Sequence, residues 1–219
     1  YNNNAQSGLN VCYNSLDNYI SSMLDAISLP YAPYAALGTH DASGQWQQLN
    51  TNLLQLLSLY RIEKNQLPLQ IDQYYISDLF EEILLKNEMY SAQKNIKVEI
   101  QTGSELLWYF DSDLISNLLN DMFVNALRYT KSKLLLRAEL TEHGLAIELH
   151  DDGPGYPKHM LERQEEYIQG IDSTSGSTGL GLYFAARIAA LHESGGVRGR
   201  IEISNGGALG GGLFRLFLP

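Results

Sequence analysis

The sequence predicts an α+β protein in two parts, a helical hairpin over residues 1–69 and a mixed α/β domain over residues 70–219. Three observations carry this expectation. Apolar residues in the first seventy positions recur at steps of three and four, the period of a helix face. After Leu67-Pro68-Leu69, short alternating runs take turns with longer helical ones. Two glycine-rich stretches punctuate the second part, one after a strand-like run and one ahead of a helix-like run.

The first helix is marked by Leu9, Cys12, Leu16, Tyr19, Met23 and Ala26 or Ile27, and Pro30 and Pro33 break it. Residues 38–44, with Gly at both ends, read as loop. The second helix carries Trp46, Leu49, Leu53, Leu56, Tyr60 and Glu63, with only the last position polar. Such spacing makes an apolar seam of the coiled-coil kind. Two short helices cannot cover both of their apolar faces, so a second copy is the natural partner and a dimeric four-helix bundle the expected product. A monomeric helical cap on the following domain is the alternative.

In the second part, residues 76–93 read as a helix with Leu79, Ile83 and Leu84 facing inward. Residues 96–101 and 106–110 alternate like a pair of strands. Asp111 or Asp113 caps a helix running to about Tyr129. Two strands follow at 134–140 and 145–150, then a helix from about Thr178 to Leu191, then strands near 200–204 and 213–218.

With 219 residues, 44% hydrophobic and 18% charged, the composition is that of a soluble globular protein. No apolar run reaches the length of a membrane span, and the first residues lack a signal peptide's basic start and apolar stretch. A cytoplasmic location is expected, either for a free chain or for the cytoplasmic part of a membrane sensor. The net charge of −10 argues against nucleic acid as a partner, because that affinity comes from clustered Lys and Arg. The single Cys12 excludes an internal disulfide and a cysteine-rich zinc site.

Three segments carry chemistry. In the run from Asn117 to Thr130, Asp121, Asn125 and Arg128 are spaced by four and three and share one side of a helix. An Asn amide oxygen can ligate Mg²⁺ without adding charge, and Arg can neutralise phosphate oxygens. The second segment is Asp151-Asp152-Gly153-Pro154-Gly155 at a strand end. Its glycines let backbone approach a ligand, and a carboxylate there can accept a hydrogen bond from an adenine amino group. The third is Gly176-Ser-Thr178-Gly179-Leu180-Gly181-Leu182, opening a helix. Free amides and the helix dipole favour phosphate at such a place. Each segment alone has a plain structural reading: a half-buried helix, a tight turn, a glycine loop.

In this order the three resemble the ATPase superfamily of histidine kinases, gyrase B, the large heat-shock chaperone and MutL. The tail, from Ile201 through Gly207 and Gly210-Gly-Gly to Pro219, resembles the closing glycine motif and last strand of histidine kinases. The resemblance covers about residues 70–219 and implies an α/β sandwich of the histidine kinase/gyrase B ATPase type that binds ATP with Mg²⁺. It implies that Asn125 ligates the metal, that Arg128, with Tyr129 beside it, meets phosphate, and that Asp151 reads adenine in a pocket shaped by Gly153 and Gly155. It also implies a mobile lid from about Tyr156 to Ser177, hinged on Thr178, Gly179, Leu180, Gly181 and Leu182. Relatives that hydrolyse ATP place a Glu where Asp121 stands, so Asp121 is a candidate general base.

The hairpin in turn resembles the dimerisation and phosphoacceptor domain of histidine kinases. Leu57-Ser-Leu-Tyr-Arg61-Ile-Glu63 looks like the end of its second helix, and Asn14-Ser15-Leu16-Asp17-Asn18-Tyr19-Ile20 best fits the acceptor stretch. Asn14 occupies the acceptor histidine's place, and a carboxamide nitrogen is not nucleophilic. Three readings stay open: an engineered replacement of histidine, a natural pseudokinase acting as an ATP-responsive scaffold, or a response-regulator phosphatase using the Asn18 amide. The expected partners are a second copy of the chain and the receiver domain of a response regulator.

Overall fold

The computed structural model of the protein describes residues 59, 62, 68–162, 164, 165 and 180–219. The chain divides into two units, Tyr1–Leu54 and Gln55–Pro219, and the described residues belong to the second. The expected hairpin, with Asn14 and Asn18, lies outside the described residues except at Leu59 and Ile62, and so do Thr178 and Gly179.

The elements in chain order are β1 (Ile71–Tyr75), α1 (Ile76–Gln93), β2 (Lys97–Gln101), β3 (Leu107–Asp111), α2 (Ser112–Tyr129), β4 (Lys133–Thr141), β5 (Gly144–Asp151) and α3 (Lys158–Glu162). They continue with α4 (Leu180–Leu191), β6 (Glu193–Ser194), β7 (Val197–Arg198), β8 (Arg200–Asn205) and β9 (Gly212–Leu218). Five strands form one mixed sheet in the order β2-β4-β5-β9-β8. Only β2 and β4 run parallel in it.

Period-two alternation gives this sheet one apolar face. Leu134 and Leu136 of β4, Ile147 and Leu149 of β5, Ile203 of β8, and Phe214 and Leu216 of β9 are all buried there. Helices α1, α2 and α4 add Phe80 and Ile83, Phe123 and Leu127, and Ala185 and Ile188 to the same core. Leu59 and Ile62, which the sequence assigns to the hairpin, are 1% and 4% exposed and belong to that core too.

Polar contacts link α1 and α2. Asn87, buried, donates to Ile83 O and to Asn120 Oδ1, both at 2.8 Å, and Ser116 Oγ donates to Glu82 at 3.0 Å. Asn95 takes φ +53° after the end of α1, and the Ile96 amide returns to Ser91 O at 3.0 Å, closing the helix with a left-handed cap. Asp111 rather than Asp113 caps α2, accepting from Leu114 N at 3.1 Å.

Strand pairing adds two features that the sequence pattern does not give. The strands at 96–101 and 106–110 do not pair with each other: β3 pairs antiparallel with β1, and β2 pairs parallel with β4. The parallel register sets Val98 and Ile100 beside Leu134 and Leu136, which widens the apolar face of the sheet. Strand β1 is not expected from the sequence, because all five of its residues are exposed and carry no buried alternation.

Candidate nucleotide-binding site

Asp151, the last residue of β5, is gripped by backbone. Its Oδ1 accepts from Gly153 N at 2.7 Å and Gly212 N at 3.1 Å, and its carbonyl accepts from Gly211 N at 3.0 Å. Among the described residues Oδ2 takes no hydrogen bond. This leaves one oriented carboxylate oxygen, the geometry a reader of an exocyclic amino group needs.

The glycines around it have no room for a side chain. A Cβ at Gly153 would lie 2.4 Å from Tyr129 O and 2.9 Å from Asp151 Oδ1. At Gly211 it would lie 2.3 Å from Asp151 Oδ1, and at Gly212 2.6 Å from Oδ2 and 3.2 Å from the Tyr156 ring. Gly155 has φ +79° and touches Asn205. Burial, with the Asp151 carboxylate beside it, pushes the Tyr156 phenol above its ordinary value.

Asp152 has a different task. It accepts from the amides of Lys131 and Ser132 at 2.9 and 3.0 Å and from Ser132 Oγ at 2.6 Å, so it pins the turn after α2. Burial raises its carboxyl, but the Ser132 hydroxyl and the amides of residues 131–133 outweigh that and hold it at about 2.

On α2, Asp121 and Asn125 are half-buried, and Arg128 and Tyr129 are exposed. Gly153 abuts the Tyr129 carbonyl, and a Cβ at Gly181 would lie 3.5 Å from Met122 Cε. Helix α2 thus touches both the Asp151 loop and the start of α4. Leu182 is buried in the core, so any ligand contact at that position falls to its backbone.

Among the described residues no group of three or more His, Cys, Asp and Glu could hold a metal by itself. Mg²⁺ commonly keeps waters and phosphate oxygens with only one or two protein ligands, and the Asn125 amide oxygen fits that donor set.

The start of the expected lid is anchored. Tyr156 donates its amide to Asn205 Oδ1 at 2.7 Å and accepts from Asn205 Nδ2 at 2.8 Å. Residues 158–162 are helical, and Ile203 N donates to Gln164 at 3.1 Å. Residues 166–177 lie outside the described residues. The amides of Gly211 and Gly212, which orient Asp151, lie outside the three segments to which the sequence assigns chemistry. Their signal was the run of three glycines just before the last strand.

Residues 110–219, half of the chain, match the family described as "Histidine kinase-, DNA gyrase B-, and HSP90-like ATPase". Residues 1–63 match the glutamate-cysteine ligase family. Glutamate–cysteine ligases of Pseudomonas aeruginosa and Azotobacter vinelandii are 53% and 55% identical over 60 residues, 27% of this chain. The chain spans 11% of the length of these curated relatives. Among solved structures, the histidine kinase AdeS of Acinetobacter baumannii has a TM-score of 0.65 at 21% identity, covering 96% of each chain. The catalytic domain of histidine kinase ThkA has a TM-score of 0.57 at 21% identity, covering 68% of this chain and 95% of its own. These structural likenesses are of fold. The ligase-like stretch overlaps the segment that resembles a phosphoacceptor hairpin.

Proposed function

The chain belongs to the histidine kinase-, DNA gyrase B- and HSP90-like ATPase family, and on that premise we propose that residues 70–219 bind Mg²⁺-ATP as the catalytic half of a histidine kinase in two-component signalling. The observation that carries the reading is the Asp151 carboxylate, fixed on Oδ1 by two glycine amides, with no hydrogen bond to Oδ2 among the described residues. In this reading Asp151 accepts the adenine amino group, and Gly153 and Gly155 give the base room. Asn125 holds the metal, Arg128 and Tyr129 face the phosphates, and Thr178, Gly179, Leu180, Gly181 and Leu182 present amides on the phosphate side. Bound Mg²⁺ supplies charge neutralisation for phosphoryl transfer, which otherwise rests on positioning. In this reading Asp121, one turn before Asn125, is the candidate general base.

The product would be a phosphohistidine, passed to the receiver domain of a response regulator. Asn14 cannot serve as the acceptor, so the histidine would be presented by another chain. A second reading is favoured by a specific observation, the match of residues 1–63 to the glutamate–cysteine ligase family. In that reading the chain is an ATP-responsive scaffold or pseudokinase without autophosphorylation. A regulator phosphatase using Asn18, and a homodimer through the hairpin, depend on the same segment. The ligase likeness covers too little of those enzymes to carry their activity.

Equilibrium binding of a fluorescent ATP analogue with Mg²⁺ tests the site. Asp151→Ala and Asn125→Ala should each weaken ATP binding; unchanged affinity in both sinks the reading. Transfer of labelled γ-phosphate to Asn14→His, but not to the chain with Asn14, favours a disabled kinase. Label on neither favours the scaffold.

A further inference from the structure

His150 is the neighbour of Asp151 in β5 and points to the opposite face of the sheet, as successive strand residues do. Its side chain is 4% exposed. It pairs with Leu135 on one side and Leu213 on the other. Nε2 lies 2.9 Å from Glu148 Oε2, and Nδ1 lies 3.1 Å from Ala208 N. An amide must donate, so Nδ1 carries the lone pair and Nε2 carries the hydrogen that Glu148 accepts. Arg215 and Arg137 hold Glu148 in turn.

Ala208 sits in a turn closed on itself, with Gly206 N to Gly211 O and Gly210 N to Gly207 O both at 2.8 Å. The turn is pressed on the ring: a Cβ at Gly207 would lie 2.6 Å from Nδ1 and 3.2 Å from Leu213 Cβ. At its end Gly211 N reaches Asp151 O, and the next residue, Gly212, reaches Asp151 Oδ1 with its amide. The same short turn is thus fastened to His150 on one face of β5 and fastens Asp151 on the other.

We propose that His150 is a positioning residue for base recognition: by holding the Gly206–Gly211 turn it fixes the glycine amides that orient Asp151, and so sets the preference for adenine. The proposal rests on Asp151 being the adenine acceptor. The phosphate-side residues of that reading stand on α2 and at residues 178–182, none of them in the Gly206–Gly211 turn, so a slack turn costs base selectivity rather than triphosphate affinity. Adenine offers an amino donor where hypoxanthine has a carbonyl. The ratio of ATP to inosine triphosphate affinity therefore reads the orientation of Asp151.

The experiment measures both affinities in the full chain, in His150→Phe, His150→Asn and Gly207→Ala, and in Asp151→Ala as the control. His150→Phe and Gly207→Ala should each shrink the ATP preference about tenfold while inosine triphosphate binding stays within about twofold, the scale of a misplaced hydrogen bond to a charged group. His150→Asn, whose amide oxygen can take the Ala208 N–H, should restore the preference. If Asp151→Ala abolishes the preference and the His150 and Gly207 variants keep it, the positioning role is overturned. Equal loss for both nucleotides also overturns it, since that marks a merely structural role. A preference that survives Asp151→Ala fails the base-reading assignment instead. Should His150→Phe not fold, Gly207→Ala carries the comparison.

Discussion

At the scale of residues, His192 joins parts of the chain far apart in sequence. Its Nδ1 donates to Ile188 O at 2.9 Å, and its Nε2 accepts from Asp111 N at 3.1 Å, across 81 positions. Asp111 also caps α2 and accepts from Gln70 N at 2.9 Å, so one neutral imidazole ties the end of α4 to the start of α2. Burial lowers its pKa from the ordinary 6.5, against smaller raising effects from the Ile188 carbonyl and Asp111. For a depressed histidine, the unfolded chain takes up the proton first. Stability is therefore full above about 6.5 and falls as pH drops toward the folded pKa. Urea unfolding at several pH values should show this decline, and His192→Gln should remove that pH dependence at a cost of about 1–3 kcal/mol at neutral pH. An unaltered pH dependence in the variant would rule the linkage out. Nothing in the sequence pairs Asp111 with His192, because a lone histidine after a helix has no local signature. Asp151 and Asn125 stand out as candidates in the sequence because glycine spacing and amide chemistry are visible in the residue types themselves. What separates Asp151 from Asp152 is where each carboxylate finds its amides, and that is a matter of tertiary structure.

At the scale of elements, the sheet face away from the helices carries a cross-strand row. Gln101, Arg137, Glu148, Arg215 and Glu202 stand opposite one another on β2, β4, β5, β9 and β8. Arg137 donates to Gln101 at 3.0 Å, and Arg215 donates to Glu148 at 2.6 Å and lies 3.6 Å from Glu202. Opposite charges across strands stabilise pairing, and burial at Glu148 strengthens the effect. Burial alone would raise the Glu148 carboxyl, but Arg215 and His150 hold it below its ordinary 4.5. Its contribution is therefore present above about 4.5 and lost as pH falls through the folded value. Glu148→Gln should cost about 1–3 kcal/mol, and a double-mutant cycle with Arg215→Met should give a coupling above about 0.5 kcal/mol in denaturant unfolding. A coupling near zero would mean the row is only geometric. Most strands were legible from alternation, yet their order was not. Pairing β2 with β4 depends on joining two apolar faces separated by α2, and β1 has no buried face to reveal it.

At the scale of the molecule, the sequence places the division between its two parts near Leu67–Ile71, whereas the chain divides between Leu54 and Gln55. The difference has a physical basis in Leu59 and Ile62, both buried in the core of the second unit. Steps of three and four mark any amphipathic helix, so they could not tell a dimer seam from a segment packed on its neighbour. Nor could they tell a phosphoacceptor hairpin from the ligase-like stretch that residues 1–63 match. Two truncations separate these cases. Residues 55–219 keep both aliphatic side chains, and residues 70–219 lose them. Removing a buried Leu or Ile side chain costs about 2–5 kcal/mol, against a total of about 5–15 kcal/mol for a domain. The shorter piece should melt at least about 5 °C lower by circular dichroism, since each kcal/mol moves the midpoint by about 2–4 °C at this size. Mg²⁺-ATP at about 100 times its Kd should add about 2.7 kcal/mol to the longer piece and clearly less to its Asp151→Ala variant at the same concentration. Equal melting temperatures for the two pieces would remove Leu59 and Ile62 from the core and return the boundary to the position expected from the sequence.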